Sequence, residues 1–583
     1  MGDAVEERTR SLTRRRLLGR LGISAAALGA AGAAAPALAD ERPRASGPKM
    51  RRAGKRARKA LGGPATPPGA VIALNRMGYG PRPGNIDTFN ALGANDTDRL
   101  AAYVAQQLDP GSIADTQADN RIAAANFEAI DITNDPDTYL ATLWDWYING
   151  NAPSGNTSSS WPRDELIRAT FIRAMYSKRQ LLEVLVEFWH DHFNVYSDAS
   201  SWIRAPLPHL DMLIRNEALG NFRMLLEDVT RSTSMLRYLD NYTNSNAGPN
   251  ENFSRELFEL HTLGAENYYG VIQQNQVPTD PGGRPLGYVD ADVFESTRCF
   301  TGWSFSNGTD SDGDTGLFHY RSTWHDRFQK FVLGEFLPAD QADLKDGRDV
   351  LDALASHPGT GAHIARKLCR KFISDDPPQS VVDNAAAIFT AQWEAPDQLK
   401  QVIEAILLSP EFLSTWGEKA KRPFEIAAGA LRAGAANFTP RMEDGDTNDL
   451  LWRYRATGQY LFAWPAPNGY PDVREAWQSM SPRVGAWRLA NWLIEFDDDD
   501  DNFFLDVLGQ TPNDVRSANE LADFWIDRVL GRPMEPDARD DIVDFMAQGT
   551  NPDLDLNFND DDTLDRVRAM VGVIFMSPDF LFR

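Results

Sequence analysis

Cysteine is almost missing from this chain: 583 residues hold two, Cys299 and Cys369. Two thiols cannot form a disulfide framework, so a small stapled scaffold is excluded; one bridge or two buried free thiols remain. Histidine is scarce too. All eight lie between His190 and His363, which confines imidazole chemistry to that stretch. There is no glycine-rich phosphate loop, dinucleotide fingerprint, serine nucleophile elbow or CxxCH haem attachment, which argues against phosphate-cofactor and c-haem chemistry. After the amino-terminal leader no run of 18 or more apolar residues occurs, so no transmembrane span is expected in the mature chain. Positive charge is in deficit, with 59 Lys and Arg against 83 Asp and Glu and a formal net charge of −24. An acidic body disfavours nucleic acid as a partner.

What basic charge there is collects at the start. Residues 1–39 read as a twin-arginine export signal: Thr13–Arg20 (TRRRLLGR), an Ala/Gly-rich apolar run, then a small-residue cleavage site at Ala37-Leu38-Ala39. The expected compartment is therefore periplasmic, cell-surface or extracellular. Export in the folded state also suits a chain that carries a cofactor. Residues 40–66 follow as a basic flexible linker, read either as solvated or as touching an anionic surface.

From about Pro64 the apolar spacing is helical almost throughout, including Asp96–Leu108, Asp137–Tyr147, Asp164–Tyr176, Lys178–His192, Asp211–Thr230 and Asp290–Cys299. Ser177 with Gln180 reads as a capping box. Short strands are expected near Leu317–Tyr320 and Phe331–Leu333. The expected fold is mainly α: one large irregular multi-helix domain over 67–424 with few short strands, and a smaller carboxy-terminal helical lobe over 425–583. Ala405–Leu413 (AILLSPEFL) echoes Gly572–Leu581 (GVIFMSPDFL), each an apolar helix halted at Ser-Pro.

The organising stretch is Asn250–Gly264, read as one compact helix capped by Asn250 and closed by Gly264. Phe253, Leu257 and Leu260 form its apolar stripe, with Asn252, Glu256 and Glu259 along the flank and Arg255 further round. Glu256 lies nearest the core, where a carboxylate needs a cation, several donors or a metal. In Phe188–Val195 (FWHDHFNV), His190 shares a helical face with Glu183, Glu187 and Asp191, and His192 points the other way. Two readings follow: Glu187, His190 and Glu256 hold a divalent metal, or a buried polar network locks helices together. His325 beside Asp326, with Lys330 near, is a second acid–base pair or a loop cap. Asp310, Asp312 and Asp314 resemble the start of a calcium loop but lack its closing Glu, so an acidic turn is the alternative.

Tyr238–Gly264 (YLDNYTNSNAGPNENFSRELFELHTLG) resembles the hallmark segment of the bacterial domain-of-unknown-function family numbered 1800. Leu74–Gly84, Phe188–Val195, Phe300–Phe305, His325–Asp326, His363–Phe372 and Lys421–Glu425 agree with it in order. The departure is Gly469-Tyr470, where the family usually has Gly-Trp. The resemblance implies a helical exported protein, with a second exported protein as partner, and brings no activity. The catalytic expectation rests on His190, Asp191, Asn252, Arg255, Glu256, Glu259, His325 and Asp326. An envelope or extracellular enzyme, metal-dependent in one version, is one reading; a binding or assembly protein acting with an exported partner or a surface polymer is the other.

Overall fold

The computed structural model describes residues 66–309, 313–495 and 505–583. Among these, helices carry the architecture and the sheets are two antiparallel pairs. The mainly α expectation holds. The export signal, all but the last residue of the basic linker, Asp310 and Asp312 lie outside the described residues.

Helices begin where side chains can take over the unpaired amides of the first turn. Asn95 accepts from Asp98 N at 3.0 Å and Asp135 from Thr138 N at 2.8 Å, with Pro136 at the first helical position. The same chemistry breaks the expected Asp211–Thr230 helix in two. Leu207–Glu217 stops near Gly220, and Asn221 caps a new start, Phe222–Arg231, by accepting from Met224 N. The expected capping box at Ser177 is not formed: the helix runs Gln180–His192, and Ser177 Oγ donates instead to Asp115. The Ser-Pro echo is structural. Ser409 and Ser577 each end one helix and precede a short second one opened by Pro410 or Pro578.

The stretch 250–264 departs from a single α-helix. Asn252–Glu256 is α, and Leu257–His261 continues as a π-turn. A π-turn rotates less per residue than an α-turn, so the inward position shifts along the chain. Phe258 and His261 are buried where Leu260 was expected, and Leu260 is half-buried. Thr262 is buried and donates to Leu257 O at 2.6 Å, satisfying a carbonyl that the π-turn leaves over.

Strand β1 (Trp303–Asn307) pairs with β2 (Asp314–Tyr320), and β3 (Lys330–Val332) with β4 (Glu335–Leu337). One hydrophobic cluster runs from Ala70 to Leu581. The expected division at 424/425 falls inside the helix Pro423–Ala433, where Phe424 packs edge-on against Phe171 and Tyr79. At the other end Arg583 exchanges backbone hydrogen bonds with Lys419.

Candidate functional site

The Gln180–His192 helix forms because Leu181, Val184, Leu185 and Phe188 bury one face. Its other face is polar and yet also buried, and this sets up the site. Glu183, Glu187, His190 and Asp191 line a cavity of about 30 Å³, closed by Asp211 and Arg215 from the Leu207–Glu217 helix and by Phe462 and Tyr470. Gly469 makes the closure tight: with φ +69°, it sits so near Asp191 that a Cβ would fall 1.9 Å from the Asp191 carbonyl oxygen. Tyr470, at the position that departs from the Gly-Trp pattern, accepts from Tyr460 N and donates to Tyr460 O.

His190 Nε2 donates to Asp211 Oδ1 at 3.0 Å, and its ring packs edge-on against Phe462. Asp211 also accepts from Arg215 Nε at 2.7 Å, and Arg215 grips Glu183 with both terminal nitrogens at 3.0 and 2.9 Å. Burial opposes charge on Asp211. Arg215, the His190 hydrogen bond and Arg173 outweigh it and hold the carboxyl well below the usual range. An ionised carboxylate therefore orients His190 and leaves Nδ1 as the ring's second functional nitrogen. Beyond Asp211 and Arg215 lies a second, more open cavity of about 230 Å³, lined by Asp131, Asn134, Tyr139 and Arg173.

Glu187 and Asp191 serve a different neighbour. Arg422 Nη2 lies 2.7 Å from Glu187 Oε1, and its Nη1 bonds Asp191. Tyr79 Oη donates to Glu187 Oε2 at 3.3 Å, and Lys371 Nζ lies 3.4 Å from the same oxygen and 3.2 Å from Glu425. Arg583 Nη2 closes the chain of charges on Glu425 at 2.7 Å. Both Glu187 oxygens thus face cations or a hydroxyl, and a metal at Glu187 would have to displace them.

The other expected residues lie apart from this cavity. Glu256 does not line it; its half-buried carboxyl is pushed up by burial and then by neighbouring Glu259, against Arg255. Arg255 reaches Glu251 and Asp290, and Asn252, exposed, donates to Leu239 O. The expected pairing of His325 with Asp326 is not formed. His325 uses Nδ1 on Thr301 O at 3.0 Å and Nε2 on Asp346 Oδ2 at 3.1 Å, and Lys330 Nζ meets that same oxygen at 2.6 Å. Asp326 is held by Arg298 at 2.8 and 3.0 Å. Asp314 Oδ1 accepts from Trp144 Nε1 at 2.7 Å. Both cysteines are free and buried. Among the described residues, no group of three or more His, Cys, Asp or Glu side chains is placed to hold a metal ion, and no helix is long and apolar enough to cross a membrane.

Sequence reasoning missed Asp211 and Arg215. Their signal was a charged pair four residues apart on a helix whose Leu210 and Ile214 face the core.

Comparison with curated proteins gives no match, and comparison with solved structures gives none. The family model described as protein of unknown function, DUF1800, matches residues 72–582, nearly the whole described fold. The cavity, its charged wall and the helices that build it all fall inside that match, and the chain belongs to the DUF1800 family.

Proposed function

We propose that this is an exported enzyme performing acid–base chemistry at His190, with Asp211 as the group that orients the ring. The observation that supports this reading is the hydrogen bond from His190 Nε2 to an ionised, arginine-anchored Asp211, set in the wall of one cavity and beside a larger one. A carboxylate behind an imidazole fixes its tautomer and stabilises the imidazolium formed when the other nitrogen takes a proton. The larger cavity, with Arg173, Asp131, Asn134 and Tyr139, suits a small polar substrate carrying both donors and acceptors. The test is a turnover screen of the exported protein on esters, amides, glycosides and phosphoesters. His190→Asn and Asp211→Asn should each lower the best turnover by about 10²-fold or more with the fold retained. Turnover that survives both substitutions, or no turnover in the native protein, overturns the reading.

A second reading, binding to another exported protein, is supported by one surface. Phe328, Phe331 and Phe336 are 75%, 40% and 63% exposed, and Phe331 and Phe336 are cross-strand partners on β3 and β4. Exposed aromatics gathered on one hairpin are unusual for a free surface. Phe331→Ser with Phe336→Ser should weaken association with such a partner while leaving turnover unchanged. Unchanged association would remove this reading.

A further inference from the structure

The two stretches expected to share a site do meet, at residues other than those expected. His192 leaves its helix opposite His190, with its ring centroid 6.1 Å from His261 and 6.4 Å from His363. Three separate segments each supply an imidazole: the Gln180–His192 helix, the π-turn and the Pro358–Phe372 helix. His192 Nε2 donates to the His261 carbonyl at 3.1 Å, so Nδ1 is free to accept, and Lys367 Nζ donates to it at 2.8 Å. Burial, followed by the charges of Lys367 and the neighbouring imidazoles, holds His192 far below its ordinary range and keeps it neutral.

His363 is set up differently. Its Nδ1 lies 2.9 Å from Glu266 Oε1, and since a carboxylate only accepts, Nδ1 donates in this pair. Its Nε2 is buried and without a partner among the described residues, as is Nε2 of His261. Gly264 makes the pair possible: it has φ +86°, and a Cβ there would fall 2.5 Å from His363 Nδ1 and 2.4 Å from Glu266 Oε2. Orphaned buried nitrogens cost free energy unless something uses them.

Lys367 stands one helical turn after His363 and differs in its partner from the other lysines packed on the core; Lys421, likewise in no ion pair among the described residues, lies over the Phe580 ring and is lowered by burial to about 7. Lys330, Lys371 and Lys419 each touch carboxylates at 2.6 to 3.4 Å. Lys367 forms no ion pair among the described residues; its hydrogen-bond partner is an imidazole nitrogen. Burial lowers its ammonium to about 8, with Arg370 adding to the effect and Asp191, Asp472 and Glu266 opposing it.

We infer that Lys367 is a reactive amine for a small carbonyl compound, an aldehyde or a ketone, with His363, backed by Glu266, as its proton carrier. The deprotonated Nζ attacks the carbonyl carbon and forms the C–N bond. His363 Nε2 takes the proton that the nitrogen sheds and passes it to the carbonyl oxygen, giving a carbinolamine. A second proton transfer by the same ring releases that oxygen as water and leaves an imine on Lys367. One amine and one carbonyl give one imine and one water, with no redox change.

The experiment treats the exported protein at about pH 7 with propionaldehyde and sodium cyanoborohydride, which reduces any imine to a stable alkylamine, and follows each lysine by peptide mass spectrometry. Lys367 should be alkylated at least about tenfold faster than exposed Lys178, with a rate that climbs through about pH 8. His363→Gln should slow labelling of Lys367 by about tenfold or more and leave Lys178 unchanged. The native protein alone carries the first arm, so a misfolded variant does not blunt the test. Labelling of Lys367 no faster than that of Lys178, or unchanged by His363→Gln in a folded variant, overturns the proposal.

Discussion

Arg422 shows how single residues divide the candidate chemistry from the framework. It is buried and pairs with both Glu187 and Asp191, and removing it leaves Asp191 without its cation and Glu187 with Lys371 alone. Arg422→Ala should destabilise the protein by about 3–5 kcal/mol in denaturant unfolding, far more than a surface pair would. A loss below about 1 kcal/mol would mean that the pair is solvated. His209 supplies part of the pH dependence, alongside buried His192 and His261, which burial also lowers. It is buried, and burial lowers it to about 4. Its folded value lies below the unfolded value of about 6.5, so the unfolded chain binds the proton first. The stability this neutral ring contributes is complete above about pH 6.5 and disappears as pH falls toward 4, a change on the order of 3 kcal/mol. His209→Gln should reduce the slope of the stability profile across that window; an unchanged slope would place the titration elsewhere. At this scale the sequence was half legible. The shared face of Glu187, His190 and Asp191 followed from helical spacing, and the opposite placement of His192 did too. The partners did not, because Asp211, Arg422 and Lys371 come from distant segments and meet only through tertiary packing.

At the scale of elements, most helices were readable from apolar period and caps, and the errors share one cause. Where a side chain offers the backbone a local alternative, the element stops or changes winding: Asn221 starts a new helix, and Thr262 stabilises the end of a π-turn. The π-turn could not be read from a 100° wheel, since the wheel assumes the winding that fails there. It is also what turns His261 inward, toward His192. Gly264→Ala tests the coupling of turn and cluster. The substitution forces a left-handed φ onto an L-residue and pushes a methyl into the His363–Glu266 pair. It should cost more than about 1 kcal/mol and shift the ring nitrogen resonances of His363. If those resonances stay put, the glycine serves the backbone alone.

For the whole molecule, composition was a good guide to class. Acidic, helical and without an apolar span among the described residues were all readable, whereas a separate carboxy-terminal lobe does not follow from a core that runs from Ala70 to Leu581. Arg583, at the end of the sequence given, reaches into the buried charge network through Glu425 and ties its backbone to Lys419. Unfolding should therefore be one cooperative event by fluorescence and by circular dichroism, and Arg583→Met should lower its midpoint as a whole. Two separated transitions would instead assign residues 425–583 their own stability.

The state of His190 is the most direct test, and nitrogen NMR of its ring in the folded protein near neutral pH reads it. The prediction is a proton on Nε2 and a hydrogen bond to Asp211, lost in Asp211→Asn. A neutral ring carrying its proton on Nδ1, with Nε2 bare, would contradict it.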